Sequence, residues 1–270
     1  MIVPGVNTYF PHYQELYKSA KILLKVITSK DEDSAKPLGS GKTIQNQLVS
    51  PFILTMFSVL ECFLNELEDS IDNSDLELTY DRLDRPNMLD RPSELYEIIT
   101  NKTFDKSTTI HADYSYVVMI RNLITHASGE EIKWTSWDIC PVNVKFHMNS
   151  FYFEKEFFQK YGLEQTIIRN KKADKIIKYL ADLEHVPPYY QGRSTGWIHY
   201  ISFPPVAYWF FASIMNLIGP MLIEFRNSED SAIKAFGEGA QRSFFDKIID
   251  NYNPLTRSGK EARKNKRKST

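Results

Sequence analysis

Residues 114–129, YSYVVMIRNLITHASG, decide how the rest of the chain is read, because they join the periodicity of a core helix to three side chains of chemical reach. An α-helix turns by about 100° per residue, so each side chain has a fixed bearing. With Arg121 at zero, Tyr114, Thr125, Val118, Asn122, Ser115 and His126 fall within an arc of about 140°, while Met119, Leu123, Tyr116, Ala127, Ile120, Ile124 and Val117 take the other side. The spacing predicts an amphipathic helix that buries one face and presents Arg121, Asn122 and His126 on the other. Asn122 and His126 are four apart and direct neighbours, whereas Arg121 stands at the edge of the arc and needs its length to reach the same ligand. Gly129 suits the C′ position, which sets His126 in the last turn, where the negative end of the helix dipole favours a cation.

Upstream, Ser50-Pro51 has the cap-then-proline order of a helix start, and 52–71 is apolar around most of its circumference. A central helix is expected there. Its polar exceptions Ser58, Glu61, Asn65 and Glu68 form one narrow stripe. Either that stripe faces water, or Glu61 and Asn65 face the motif and orient its cations. Residues 9–28 carry apolar positions at helical steps and predict a first helix. Between these helices, Gly39-Ser40-Gly41-Lys42-Thr43 resembles the end of a phosphate-binding loop, but Lys36 stands where a glycine is required and no hydrophobic strand leads in, so an ordinary loop is expected. Residues 72–112 are rich in Asp, Asn and Pro and repeat Leu-Asp-Arg-Pro at 83–86 and 89–92. A structured loop is expected there, then a short helix over 93–101 with Ser93 as N-cap.

Downstream the period changes. Ile132, Trp134, Val142, Val144, Phe146, Met148, Phe151 and Phe153 mostly alternate, predicting two or three short strands in a β insertion at about 130–155. His147 reads as a surface strand residue. A lysine-rich amphipathic helix is expected over 164–183, followed by an aromatic loop, 189–200, in which Arg193 could meet phosphate while rings stack on bases. Residues 200–223 hold no charge, but Pro204-Pro205 and Gly219-Pro220 leave only 206–218 uninterrupted, less than the roughly 20 residues of a membrane span, so a buried helix is expected. Helical pattern resumes over 232–252, weakened early by Gly237 and Gly239.

The chain has 270 residues, 42% of them hydrophobic, and a formal net charge of -1, values ordinary for a soluble globular protein. The expectation is a single helical domain over 1–256, with a core at about 45–128 and C-terminal helices at about 164–252. Residues 257–270, crowded with Arg and Lys, read as a basic disordered tail, in which Lys264 and Arg267 are further candidates for RNA contact. Cys62 and Cys140 cannot form a disulfide framework or, by spacing, a zinc site. With no signal-peptide pattern at the N-terminus, the expected compartment is the cytoplasm.

Arg, Asn and His on one helical face suit a phosphodiester: Arg stabilises charge on phosphate oxygens, His moves protons, and Asn fixes either by hydrogen bonding. RNA supplies its own nucleophile in the 2′-hydroxyl, so no metal or other cofactor is required. Arg121-Asn122-Leu123-Ile124-Thr125-His126 resembles the hallmark Arg-Asn-x-x-x-His of the HEPN superfamily, and Leu60-Glu61-Cys62-Phe63-Leu64-Asn65-Glu66-Leu67 resembles the acidic, Asn-containing helix that precedes it in many bacterial members. The resemblance implies a mainly α HEPN-like bundle, metal-independent endoribonuclease activity and a homodimer whose motif helices face each other. It also implies frequent roles as a toxin with a cognate antitoxin, or in phage defence. By it His126 is the acid/base, Arg121 the phosphate stabiliser, Asn122 the positioning residue and Glu61 an orienting partner. Asn65 and Thr125 are further candidates for support. A non-catalytic RNA- or nucleotide-binding module is the alternative.

Overall fold

The fold is mainly α-helical. The structure, a computed structural model, describes residues 12–29, 43–126, 131–134, 165–168, 171–183 and 200–245. In chain order the elements are α1 (His12–Ile27), α2 (Ile44–Asp72), a 3₁₀ turn (Arg82–Asp84), α3 (Arg91–Thr100), α4 (Thr109–Thr125), β1 (Glu131–Trp134), β2 (Gln165–Ile168), α5 (Lys171–Ala181), α6 (Pro204–Arg226) and α7 (Ser231–Phe245). They divide into two compact units. Among the described residues, unit 1 takes 12–22, 54–106 and 216–245, and unit 2 takes the remainder.

Unit 1 is knit by aromatic edges and buried charge. Tyr13 of α1 meets Phe63 of α2 edge-on at 5.9 Å, and Phe63 lies 5.3 Å from Phe236 of α7. Asp230 caps α7, its Oδ1 accepting the N–H groups of Ala232 and Ile233 at 2.9 and 3.0 Å. The Ile233 N–H foremost holds that carboxyl below its ordinary range. Gly237 lets α7 approach the end of α6: a Cβ there would stand 2.7 Å from the Arg226 nitrogen.

The repeated Leu-Asp-Arg-Pro proves to be a pair of anchors on one carboxylate. Glu68 of α2 has no exposed surface. Its Oε1 accepts from Arg91 Nε and from the Tyr80 hydroxyl, both at 2.7 Å, and its Oε2 faces Arg85 Nη2 at 3.0 Å. Arg91 Nη2 donates to Asn65 Oδ1 at 2.6 Å. Two residues before each repeat a side chain turns the backbone: Asp81 Oδ1 accepts from Leu83 N–H at 2.8 Å and Asn87 Oδ1 from Leu89 N–H at 2.9 Å. A third arginine, Arg82, reaches Asp69 and Asp72, each at 2.6 Å. Thus the stripe expected to face water or the motif carries, at Glu68, a buried ion cluster. Helix α3 begins two residues before the expected start. Pro92 fits its first turn, and Ser93 Oγ donates to the Asp90 carbonyl at 2.6 Å from inside the helix rather than capping it. Asn101, at φ 52°, supplies the left-handed ending.

In unit 2, α2 starts at Ile44, not at the expected Ser50-Pro51, because Thr43 and Asn46 cap it reciprocally: Asn46 N–H donates to Thr43 Oγ1 at 3.2 Å and Thr43 N–H to Asn46 Oδ1 at 3.0 Å. Pro51 is therefore interior, as is Pro220 in α6. An interior proline costs about 3 kcal/mol or more, and burial of one face of α6 offsets it: Ile218, Met221, Leu222 and Phe225 are each at most 2% exposed, whereas Pro220 and Ile223 stand on the exposed side. Pro204 and Pro205 open α6, where the absent N–H groups have no helical partner to lose. The expectation that these prolines cut the segment to 206–218 is thus corrected to a continuous 23-residue helix. Helices α2 and α6 are both long and apolar enough to cross a membrane, but that test is also met by core helices, and 72% of the apolar window of α6 is buried within the protein.

Strand β1 falls where alternation predicts it and pairs antiparallel with β2, Glu131 opposite Ile168 and Trp134 opposite Gln165. The lysine-rich helix consequently begins at Lys171 rather than at 164. The strands expected over 142–153, the aromatic loop with Arg193, and the tail with Lys264 and Arg267 lie outside the described residues, as do the Gly-rich stretch before Thr43 and the end of the last helix.

Removing one partner of a buried ion pair strands the other charge, so Arg91→Ala is expected to lower the free energy of unfolding by about 3–5 kcal/mol. Arg82→Ala, whose pairs are about one-third exposed or more, should cost about 1 kcal/mol or less. Urea unfolding of the two variants checks the contrast.

Candidate functional site

The motif helix is fixed from its first turn. Thr108 caps α4, its hydroxyl accepting the His111 N–H at 3.3 Å. Asp113, Tyr114, Val117, Ile120 and Leu123 form the buried face. Tyr114 was expected on the polar arc and is instead wholly buried, so the hidden face is rotated towards it and Arg121 stands at the boundary.

That rotation has a polar cause. Asp113, 7% exposed, accepts the hydroxyl proton of Tyr179 on α5 at 2.5 Å. One turn on, the Tyr116 ring stacks on Tyr179 with centroids 3.8 Å apart, and Trp209 of α6 meets Tyr179 edge-on at 5.3 Å. Burial foremost, then the Asp113 charge, pushes the Tyr179 phenol well above its ordinary pKa. The Trp209 indole N–H opposes this slightly, though it falls outside hydrogen-bond geometry. Lys175 Nζ lies 5.4 Å from the Tyr116 ring centroid. Sequence reading missed Asp113 and Tyr179. The available signal was a carboxylate on the apolar side of the motif helix, one turn before Tyr116.

At the other end, Asn122, Thr125 and His126 are exposed and Arg121 is half-buried. Arg121 Nη1 donates to Asn122 Oδ1 at 3.0 Å, so the long side chain curls across the helix end to its neighbour. This leaves the Asn122 amide NH₂ as the donor on the open face. Thr125 Oγ1 donates back to the Arg121 carbonyl at 3.0 Å, which commits its proton to the helix. His126 is the C-cap residue, at φ −111° and ψ 39°, with its backbone N–H bonded to the Asn122 carbonyl at 3.0 Å. The helix therefore ends at Thr125, four residues before Gly129, itself outside the described residues. The imidazole leaves from the cap rather than from the last regular turn, and among the described residues no hydrogen bond reaches it. The structure thus gathers Arg121, Asn122 and His126 at one exposed helix end.

Of the supporting residues, Glu61 and Asn65 belong to unit 1, and the Asn65 carbonyl oxygen is taken by Arg91. Glu61 is half-buried beside Cys62, whose thiol is shifted upward by burial first and then by Glu66 and Glu61. Among the described residues no group of three or more His, Cys, Asp or Glu is placed to hold a metal ion. No family model, curated protein or solved structure matches the chain.

Tyr179→Phe removes the Tyr179 hydroxyl from the buried Asp113 carboxylate and should lower stability by about 1–3 kcal/mol. Tyr17, Tyr80 and Tyr179 all have raised pKa values in the folded chain, from burial above all. In the unfolded chain they ionise near about pH 10. Their contribution to stability is therefore full below that pH and is lost as pH rises above it. Denaturation followed against pH should show this decline, and a shallower one in Tyr179→Phe.

Proposed function

We propose that the chain is a HEPN-like, metal-independent endoribonuclease, carried by a single observation: Arg121, Asn122 and His126 stand together at the exposed end of a helix that is anchored at its other end. In this reading His126 withdraws the 2′-hydroxyl proton and the freed oxygen attacks the adjacent phosphorus. The bond to the 5′-oxygen breaks, and a second acid protonates that leaving group. Arg121 stabilises charge on the non-bridging oxygens and Asn122 holds a phosphate oxygen through its amide NH₂. The products are a 2′,3′-cyclic phosphate and a 5′-hydroxyl, and the balance requires no cofactor.

One such helix end offers one imidazole, and a facing copy supplies the second proton carrier, so a homodimer is part of the reading. A HEPN-like bundle with a β insertion after the motif helix, a cytoplasmic location, and a role as a toxin held by an antitoxin or as a phage-defence effector belong to the same proposal. The Arg121–Asn122 bond favours a second reading: Asn122 is tied to the phosphate-seeking Arg121 rather than to His126, as suits a non-catalytic RNA-binding module.

Cleavage of total RNA with chelator present separates them. His126→Ala is expected to slow cleavage by about 10²–10⁴-fold and Arg121→Ala by about 10²–10³-fold, with RNA retained by His126→Ala. Cleavage by His126→Ala at the wild-type rate overturns the enzyme reading. Absence of wild-type cleavage, with RNA binding lost only in Arg121→Ala, establishes the second.

A further inference from the structure

A groove of about 490 Å³ opens in unit 1 between α1 and α7. Gln14, Tyr17, Lys18 and Lys21 line it from one stripe of α1, at three- and four-residue steps, and Gly239, Arg242 and Ser243 line it from α7 at the same steps. The walls are held together from beneath by Tyr13, Phe63 and Phe236. Three of the lining residues are cations and none is a carboxylate.

Glu15, just outside the stripe, pairs with Lys18 at 2.6 Å, but both are largely exposed and such a pair contributes little. Lys21 Nζ stands 4.8 Å from the ring centroid of Tyr17, a side chain 1% exposed and therefore fixed. Arg242 commits only Nε, to the Glu238 carbonyl at 3.3 Å, and its terminal nitrogens make no hydrogen bond among the described residues. Gly239 faces open space, since a Cβ there would meet nothing within 4 Å.

We propose that this groove binds an oligophosphate, either an inorganic chain or the 5′-triphosphate of a nucleotide. Like charges gathered round an open cavity repel one another, and a polyanion removes that cost. The free edge of Arg242 suits two phosphate oxygens at once, while Lys18 and Lys21 act as point charges along the chain. The volume lies in the range of small-ligand sites, about 300–1,000 Å³. Tyr17 is too buried to stack with a base, so recognition falls on the phosphates. The site is independent of the RNA reading.

Calorimetric titration of the full chain at physiological salt, with inorganic tripolyphosphate, ATP and adenosine as probes and no metal added, tests this. Tripolyphosphate should bind, ATP should match it within about threefold, and adenosine should bind at least about tenfold more weakly. ATP binding more than about tenfold tighter than tripolyphosphate would still support the site and assign the nucleotide as its source. Arg242→Ala should weaken binding by about tenfold or more. Gly239→Leu fills the groove without changing charge and should do the same, with circular dichroism confirming retained helix. Lys234→Ala, on α7 but outside the groove, should leave binding unchanged. Failure of tripolyphosphate to bind, unaltered binding by Gly239→Leu, or equal weakening by Lys234→Ala overturns the proposal.

Discussion

A helix that offers chemistry to solvent has to be held by the side it hides, and α4 is held by the hydrogen bond between Asp113 and Tyr179. A carboxylate this buried is costly unless its oxygens are satisfied, so the position of Tyr179 fixes the rotation of α4 about its axis. Stacking of Tyr116 on the same ring doubles the constraint within one helical turn. The bearing of Arg121, Asn122 and His126 follows from it: about eight to thirteen residues on, at about 100° each, the rotation imposed at Asp113 is carried to the motif.

The same economy of buried charge organises unit 1. A loop rich in Asp, Asn and Pro has little apolar surface to bury, and it is ordered instead by two arginines, six positions apart, that meet one buried carboxylate. Tyr80 adds a donor to Glu68 Oε1 and Asn65 accepts from Arg91, while Glu68 Oε2 has, among the described residues, only the Arg85 charge beside it, so the pair is held by several partners at once. A stripe of α2 that resembles a supporting surface for catalysis thereby acquires, at Asn65 and Glu68, a structural task.

Helical periodicity is a local property, and the helices it predicts are present. The burial of 117, 120 and 123 in α4 and of 13, 17 and 20 in α1 was legible for that reason. Starts and stops were less legible, because prolines were read as punctuation. Pro51 lies inside a helix because a cap stands upstream, and Pro220 because one face of its segment is fully buried. Long-range polar pairs left no periodic trace: Asp113 with Tyr179 is 66 residues apart and Glu68 with Arg91 is 23. The motif was legible as three residue types on one arc, while the Arg121–Asn122 bond was not, since adjacent positions do not ordinarily face each other.

The proposed cleavage of RNA through the substrate's own 2′-hydroxyl is tested most directly by the chemistry of the cut ends. Mapping the termini left by the wild-type protein should find 2′,3′-cyclic phosphates and 5′-hydroxyls at every cut. Termini of 3′-hydroxyl and 5′-phosphate, which require water or another external nucleophile, would contradict it.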